Sequence, residues 1–312
     1  MIFHLRHATE YAYASRVELA AHVLHLRPRA LPWQRVHAFS LRTSPPGGRL
    51  TEELDHFGNP MARLFLDQGH AALTITTEAV VEVRALAPRP EPWETPAWEH
   101  VAAAAQRPAA ARDVAEFAFA SPMAPCTSAV RAWAASSFPP GRPVLACLMD
   151  LMDRMAQEFR FEPGVTTVST SVDRVLQLRA GVCQDFAHLI VAGLRSARLP
   201  ARYVSGYVRT RPPPGMARLR GADQSHAWVG CWLGPELGWI DLDPTNNLVV
   251  GQEHVWLGWG RDYGDVSPVH GVLLGGGRHT LSVSVDMEPV AAPQGSTCGW
   301  PENTSPPISL AR

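Results

Sequence analysis

The sequence contains few cysteines, and their spacing fits no cysteine framework. Its 312 residues include five, an odd number that is widely spread and forms no C-x-x-C pair. This pattern argues against a disulfide-stapled domain and against a structural zinc site, because both need paired or closely spaced ligands. We therefore expect a reducing, cytoplasmic location. The five residues are Cys126, Cys147, Cys183, Cys231 and Cys298.

Long apolar runs and an excess of one charge are lacking as well. No run reaches the roughly 18 apolar residues that predict a transmembrane helix, and the opening "MIFHLRHATEYAY" lacks the regions of a secretory signal. The 28 basic and 29 acidic residues give a net charge of -1 and form no long block of one sign. The composition predicts no nucleic-acid or membrane surface, and it favours a neutral or small peptide-like partner.

Metal-binding and nucleotide-binding patterns are missing too. The chain has no H-E-x-x-H run and no D-x-[DN]-x-[DN]-G loop, and these are the patterns that indicate a catalytic zinc or an EF-hand calcium site. The glycine-rich stretch "GVLLGGGRH" lacks the fingerprint of a phosphate-binding loop. We expect no metal and no cofactor.

The composition changes along the chain in a way that predicts two domains. Residues 1–86 have the pattern of short strands separated by turns, as in the β-branched stretch "ALTITTEAVVEV", and predict a β-sandwich. Residues 87–110, around the proline-rich "ALAPRPEPWETP", predict a linker. Residues 111–288 then form the predicted catalytic core with C-terminal strands, and residues 289–312 a flexible tail.

The predicted core combines helices with a sheet. The stretch "PVLACLMDLMDRMAQEF" repeats apolar residues at helical spacing. A short helix in "TSVDRVLQLRAG" is expected to begin at a capping box of Thr170 and Asp173, and a longer one to begin at Cys183 and end before Pro200. The strands "ARYVSGYVR", "HAWVGCWL" and "GWIDLD" follow. The predicted fold class is α+β, with a β-sandwich followed by helices packed on an antiparallel sheet.

Cys183, in "GVCQDFAH", lies where a helix would favour a reactive thiol. The thiolate is the nucleophilic form of cysteine, and a free cysteine is mostly protonated at neutral pH. The unpaired N–H groups and partial positive charge of a helix N-terminus favour the thiolate, and such an N–H could also face a developing oxyanion. The alternative is a small, unreactive core residue.

A cysteine nucleophile needs a base and a third residue that orients the base. In "SHAWVGCWL", strand alternation places His226 on one face and Cys231 on the other. In "GWIDLDPTNN", Asp241 and Asp243 share one face of the next strand, and a hairpin could bring either carboxylate to His226. Alternation alone leaves both aspartates as candidates.

Four strings together resemble the core of the transglutaminase-like superfamily, whose fold is that of papain-like cysteine proteases. They are "GVCQDFAH", "ARYVSGYV", "SHAWV" and "GWIDLDPTNN". The resemblance implies a catalytic triad of Cys183, His226 and Asp243, and Asp241 has no counterpart in it. Residues 1–82, with "RHATEYAY", "LHLRPR" and "ELDHFGNP", resemble the β-rich N-terminal region of a bacterial subgroup, and "GRDYGDVSPVHG" resembles its C-terminal segment.

The resemblance implies a cysteine-dependent enzyme that acts on a peptide or glutamine-type amide through an acyl-thioester. The acyl group could pass to water, as in a protease or amidase, or to an amine, as in a protein-crosslinking transglutaminase. We favour hydrolysis, with the loop at 210–223 leaving the cleft open to solvent. A non-catalytic binding module on the same fold and a redox-sensing thiol protein are the alternatives.

Overall fold

The structure, a computed structural model, describes residues 1–86, 88–107, 112–210 and 224–290. Two predicted features lie almost wholly outside the described residues: the loop at 210–223, except for Thr210, and the tail at 289–312, except for its first two residues. Within the described ranges, no helix is long and apolar enough to cross a membrane.

Strands make up most of both ends of the described chain. They are β1 (Ile2–Leu24), β2 (Gln34–Ser44), β3 (Arg49–Leu54), β4 (Pro60–Leu66), β5 (His70–Val83), β6 (Arg160–Phe161), β7 (Ala180–Gly181), β8 (Ala201–Val208), β9 (Gln224–Trp232), β10 (Trp239–Asp243), β11 (Leu248–Val249), β12 (His254–Gly260), β13 (Val269–Gly275) and β14 (His279–Val290).

The α-helices lie between the two groups of strands, apart from one short helix near the end. They are α1 (Trp98–Ala105), α2 (Arg112–Ala115), α3 (Ser128–Ala135), α4 (Val144–Glu158), α5 (Val172–Leu178), α6 (Cys183–Ser196) and α7 (Tyr263–Val266). The predicted helices over α4, α5 and α6 are confirmed, although α5 is capped by Ser171, which accepts from the N–H of Arg174, rather than by Thr170.

The N-terminal strands form one continuous sheet around β1. On one side β1 pairs with β5 and then β4, and on the other side with β14 and then β13. On each side the two partner strands lie end to end along β1, and all four are antiparallel to it. The register of β1 shifts between Ala12 and Val17, and such bulges bend a strand. The sheet curls around its own apolar cluster, which includes Val17, Leu64 and Ile75.

A second sheet carries the strands predicted for the core. Its order is β11-β10-β9-β8-β12, and all neighbouring strands are antiparallel. One face packs against the helices, because the apolar side of α6, with Phe186, Leu189 and Ile190, is buried there. The other face packs against β1, β5 and β14 of the curled sheet. The α+β fold class is confirmed, with the N-terminal strands arranged as a curled sheet.

Two side-chain amides join the curled sheet to β12, the edge strand of the core sheet. Gln34 accepts from the N–H of Trp256 at 2.9 Å and donates to its carbonyl at 2.8 Å. Asn59 makes the same pair of bonds with Trp259 at 2.9 and 2.8 Å. Buried backbone groups at a sheet edge need such partners. These bonds fix the N-terminal sheet against the core.

The structure divides the chain differently from the predicted domain bounds in two places. The predicted linker at 87–110 contains α1, whose Val101 and Ala105 are buried in the helical core. The strands β13 and β14, predicted to belong to the core, pair with β1 of the N-terminal sheet instead. The N-terminal sheet is therefore built from both ends of the described chain.

Candidate active site

Cys183 is the first residue of α6, and its side chain is partly buried. Val182 before it has an extended backbone (φ -117°, ψ 179°), so the helix begins at Cys183. The carboxylate of Asp185 accepts a hydrogen bond from the N–H of Val182 at 2.8 Å and so caps this end of the helix. Cys183 therefore lies in a helix turn that also holds an acidic cap.

Asp185 is itself held by two neighbours. The hydroxyl of Thr166 donates to its Oδ2 at 2.7 Å. Burial raises the pKa of Asp185, while the hydrogen bonds from Thr166 and Val182 lower it, and the net direction is upward. A Cβ on Gly181 would lie 2.7 Å from the same oxygen, so this close approach requires glycine. These contacts fix the start of α6 and with it the position of Cys183.

His226 links Cys183 to Asp243. Its Nε2 lies 2.7 Å from Oδ2 of Asp243, and the Cys183 thiol lies near enough to the imidazole to raise its pKa. Because Nε2 faces Asp243, Nδ1 is the nitrogen left for Cys183. Burial alone would lower the pKa of His226, but the hydrogen bond to Asp243, the charge of Asp243 and the nearby Cys183 thiol raise it to about 10.

The carboxylate of Asp243 is fully buried and accepts five hydrogen bonds. Oδ1 accepts from the backbone N–H groups of Thr245 and Asn246 at 3.0 and 3.2 Å. Oδ2 accepts from His226, from the Asn246 amide at 2.7 Å and from His254 at 3.2 Å. Burial would raise the pKa of Asp243, but hydrogen bonds from these side chains hold it well below its usual range. The carboxylate therefore stays ionised.

Asp241 has different partners, although it shares a face of β10 with Asp243. Its Oδ1 accepts from Arg202 at 3.2 Å, and its Oδ2 accepts from the indoles of Trp228 and Trp256 at 3.3 and 2.5 Å. Arg202 is buried beside it. Asp241 thus balances a buried cation and does not hydrogen-bond to His226. Of the two aspartates, Asp243 is therefore the one that hydrogen-bonds to His226.

His254 is the site residue that the sequence analysis did not single out. It begins β12, is buried, and donates to the same oxygen of Asp243 as His226 does. A signal was available, because "HAW" in β9 and "HVW" in β12 are the same H-x-W pattern. The pattern alone does not predict the contact with Asp243, because β12 lies at the far edge of the sheet from β10 and no local pattern shows that they meet.

The same three side chains offer donor atoms of the kind that bind metals. The ring nitrogens of His226 and His254 and an oxygen of Asp243 lie within 4.8 Å of one another. Direct hydrogen bonds to Asp243 account for this proximity. The sequence-based expectation of no metal stays a prediction.

Sequence comparison adds the family to this geometry. Residues 3–82 match the bacterial transglutaminase-like N-terminal region, and residues 132–244 match the transglutaminase-like superfamily. An uncharacterized protein of Mycobacterium tuberculosis is 37% identical over 300 residues, which cover 92% of each chain. The chain belongs to the transglutaminase-like superfamily. Both expected parts of the resemblance, the β-rich N-terminal region and the core, are confirmed.

Two further relatives show how far the transglutaminase-like likeness extends. A protein of Pseudomonas aeruginosa named protein-glutamine gamma-glutamyltransferase is 32% identical over 103 residues, which cover 33% of this chain and 15% of that one. The crystal structure of a "putative cysteine protease" from Cytophaga hutchinsonii superposes with a TM-score of 0.72 and covers 94% of this chain and 92% of that one, at 22% identity. This transglutaminase-like fold is therefore shared over nearly the whole chain.

We predict that the raised pKa of His226 makes stability depend on alkaline pH. An ordinary histidine has a pKa of 6.5, and His226 in the fold has one of about 10. Between pH 6.5 and 10 the folded protein holds a proton that the unfolded chain has lost. The stabilisation by protonated His226 is therefore complete below about pH 6.5 and is lost as pH rises through about 10. Urea unfolding at about pH 6, 8 and 10 should show that the free energy of unfolding falls less with rising pH in His226→Gln than in the wild type. Equal falls would contradict the assignment of the raised pKa to His226.

Proposed function

We propose that the protein is a cysteine-dependent amide hydrolase that acts on peptide or glutamine-type amides. Cys183 is the nucleophile, His226 the general acid and base, and Asp243 the residue that orients His226. The observation that carries the proposal is the hydrogen bond of His226 to the buried, ionised Asp243, with the Cys183 thiol at the start of α6 near the same imidazole. The cytoplasmic location and the lack of nucleic-acid and membrane partners stay predictions of the sequence.

The first half of the reaction forms the thioester. A protonated His226 favours the thiolate of Cys183, which attacks the amide carbonyl carbon and forms a C–S bond. The N–H groups in the first turn of α6 have no acceptor within the helix and can stabilise the oxyanion. His226 then gives its proton to the amide nitrogen, the C–N bond breaks, and ammonia or a peptide amine leaves.

The second half returns the enzyme to its starting state. Neutral His226 takes a proton from water, the resulting hydroxide attacks the thioester carbonyl, and the C–S bond breaks to release the acid. An amine in place of water would give a new amide, which is the transglutaminase alternative. The name of the Pseudomonas aeruginosa relative supports glutamine-type amides as a substrate class, and both outcomes use the same three residues.

Alkylation with iodoacetamide across pH, followed by peptide mapping, tests the nucleophile directly. Cys183 should be labelled selectively below about pH 7. Three other thiols in the described part of the chain serve as internal controls. Cys126 is partly buried without a histidine partner among the described residues. Cys147 and Cys231 are buried, and burial raises the pKa of Cys147 to about 11. Labelling of Cys183 no faster than that of Cys126 would remove the proposed mechanism.

We predict that the acyl group passes mainly to water. Water at about 55 M outcompetes a millimolar amine unless an acceptor pocket supplies a large effective molarity. Incubation with a glutamine-containing peptide and a primary amine, resolved by mass, should give mainly the free acid, and Cys183→Ala should give neither product. A dominant amine adduct would instead identify a transglutaminase.

The redox-sensor alternative finds no support in the placement of Cys126. Its thiol contacts the carbonyl of Ala192, nine residues after Cys183 on α6. At 1.5 Å per residue this separates the two sites by about 13 Å along the helix axis. A disulfide needs Cα atoms within about 7 Å, so Cys126 cannot resolve an oxidised Cys183 without rearrangement of the helix.

A further inference from the structure

Two strands of the core sheet carry the same H-x-W pattern, and both meet the D-x-D pattern of β10. In β9 the pair is His226 and Trp228, and in β12 it is His254 and Trp256. Both indoles donate to Oδ2 of Asp241, and both imidazoles contact Oδ2 of Asp243 through Nε2. One aspartate thus receives two tryptophans, and the other receives two histidines.

Glycine at one position lets these side chains meet across the sheet. The strands β9 and β8 lie between β10 and β12, and Gly206 of β8 is paired with His226 on one side and Trp256 on the other. A Cβ on Gly206 would lie 2.3 Å from the ring of Trp228. With no side chain there, the Trp228 ring packs edge-on against His254, with centroids 5.3 Å apart.

The surroundings of His254 indicate which of its ring nitrogens carries the proton that faces Asp243. Its side chain is buried, and the ionisable groups that face it are Asp243 from β10 and His226 from β9. Its Nδ1 is buried without a hydrogen-bond partner among the residues that the structure describes. A proton on Nδ1 would have no acceptor there, and an unsatisfied buried donor is costly. The hydrogen-bonding proton of His254 is therefore on Nε2, pointing at Asp243.

We propose that His254 is a positioning residue for the catalytic triad. Its Nε2–H holds Oδ2 of Asp243 in the plane that faces His226, so that Nδ1 of His226 stays directed at Cys183. It acts through Asp243 and does not touch the substrate. This inference rests on the proposed function, because the triad that it supports is the one proposed above. Groups that orient a reactive residue in this way typically contribute about 10- to 100-fold to activity.

The wild-type protein offers a test that needs no variant. In the protein labelled with ¹⁵N-histidine, the NMR signals of His254 should show a proton on Nε2, because this nitrogen faces the carboxylate of Asp243. A ring with its proton on Nδ1 and none on Nε2 would overturn the proposal. This measurement does not depend on turnover, so it stands even if no amide substrate is cleaved.

Substitutions test the positioning role. His254→Gln keeps an N–H donor near the position of Nε2, whereas His254→Phe removes the donor and fills the same space. We expect His254→Phe to lower kcat about 10- to 100-fold with KM changed less than about twofold, and to move the pH midpoint of Cys183 alkylation upward. His254→Gln should restore most of kcat and the wild-type midpoint. If His254→Phe does not fold, the comparison of His254→Gln with the wild type and the NMR result decide the question.

His7→Phe is the matched control. His7 is a buried histidine whose ring contacts Tyr207 and Thr9 at 2.9 and 2.8 Å and makes no hydrogen bond to Cys183, His226 or Asp243. Its loss should lower the melting temperature and leave kcat and the alkylation profile unchanged. If His254→Phe behaved like His7→Phe, losing stability alone, His254 would be merely structural and the proposal wrong. If wild-type Cys183 proved unreactive while the NMR result held, the proposed function would fail and the geometry of His254 would not.

Discussion

Replacement of Cys183 by alanine is expected to abolish turnover and to leave the fold intact. Without the sulfur no thioester can form, and removal of a nucleophile of this kind costs at least about 10⁴-fold in kcat. The side chain is small and only partly buried, so the free energy of unfolding should fall by about 1 kcal/mol or less. Amide turnover and urea unfolding of the same preparation measure both effects.

Cys126→Ala is the control for Cys183→Ala, because Cys126 also contacts α6 and is partly buried. It should keep wild-type turnover at a similar cost in stability. Wild-type activity in Cys183→Ala on any amide would show that the cleavage uses another nucleophile. A large loss of stability in that variant would mean that Cys183 is a core residue, which is the alternative raised by the sequence.

The sequence could indicate the three proposed catalytic residues, because each lies in a recognisable pattern. A helix start marks Cys183, strand alternation orients His226, and the resemblance selects Asp243. Alternation could not separate Asp241 from Asp243, since both point to one face of β10. The register of β9 and β10 separates them: Asp241 lies opposite Gly230, beside Arg202, whereas Asp243 extends to His226.

Long-range pairing is the part of the fold that the sequence could not show. The sequences of β13 and β14 are compatible with pairing either to the core sheet or to β1. In the structure both strands pair with β1, more than 240 residues away in the chain. The contact between His254 and Asp243 depends in the same way on the packing of non-adjacent strands. Patterns of period two fix which face a residue occupies, but they do not specify the partner strand.

The curled sheet has a direct effect on the chemistry of the site. Phe3, Val81 and Met287 of this sheet pack in one cluster with Trp228 and Trp256 of the core sheet, and so cover the face that bears both aspartates. Because water is excluded there, each hydrogen bond to Asp243 is electrostatically stronger than it would be in solvent. The N-terminal region thus contributes to the site without supplying a reacting group.

Substitution by asparagine should affect a different property at each aspartate of β10: the rate at Asp243 and the stability at Asp241. In Asp243→Asn the new amide group must face donors in either orientation: the N–H groups of Thr245 and Asn246 on one side, or the imidazole of His226 on the other. The charge that holds the His226 imidazolium is also lost. We expect kcat to fall about 10²- to 10⁴-fold.

Asp241→Asn removes a charge from a different network. Arg202 would remain buried without its anionic partner, and breaking such a pair typically costs about 3 to 5 kcal/mol of stability. The rate at a temperature where the variant is folded should fall less than about tenfold, because the contacts of His226 are untouched. Measured together, kcat and the urea midpoint should therefore separate the variants: a large rate loss for Asp243→Asn and a large stability loss for Asp241→Asn. Equal rate losses, or the reverse order, would reassign the orienting role to Asp241, whose carboxylate would then have to leave Arg202 to reach His226.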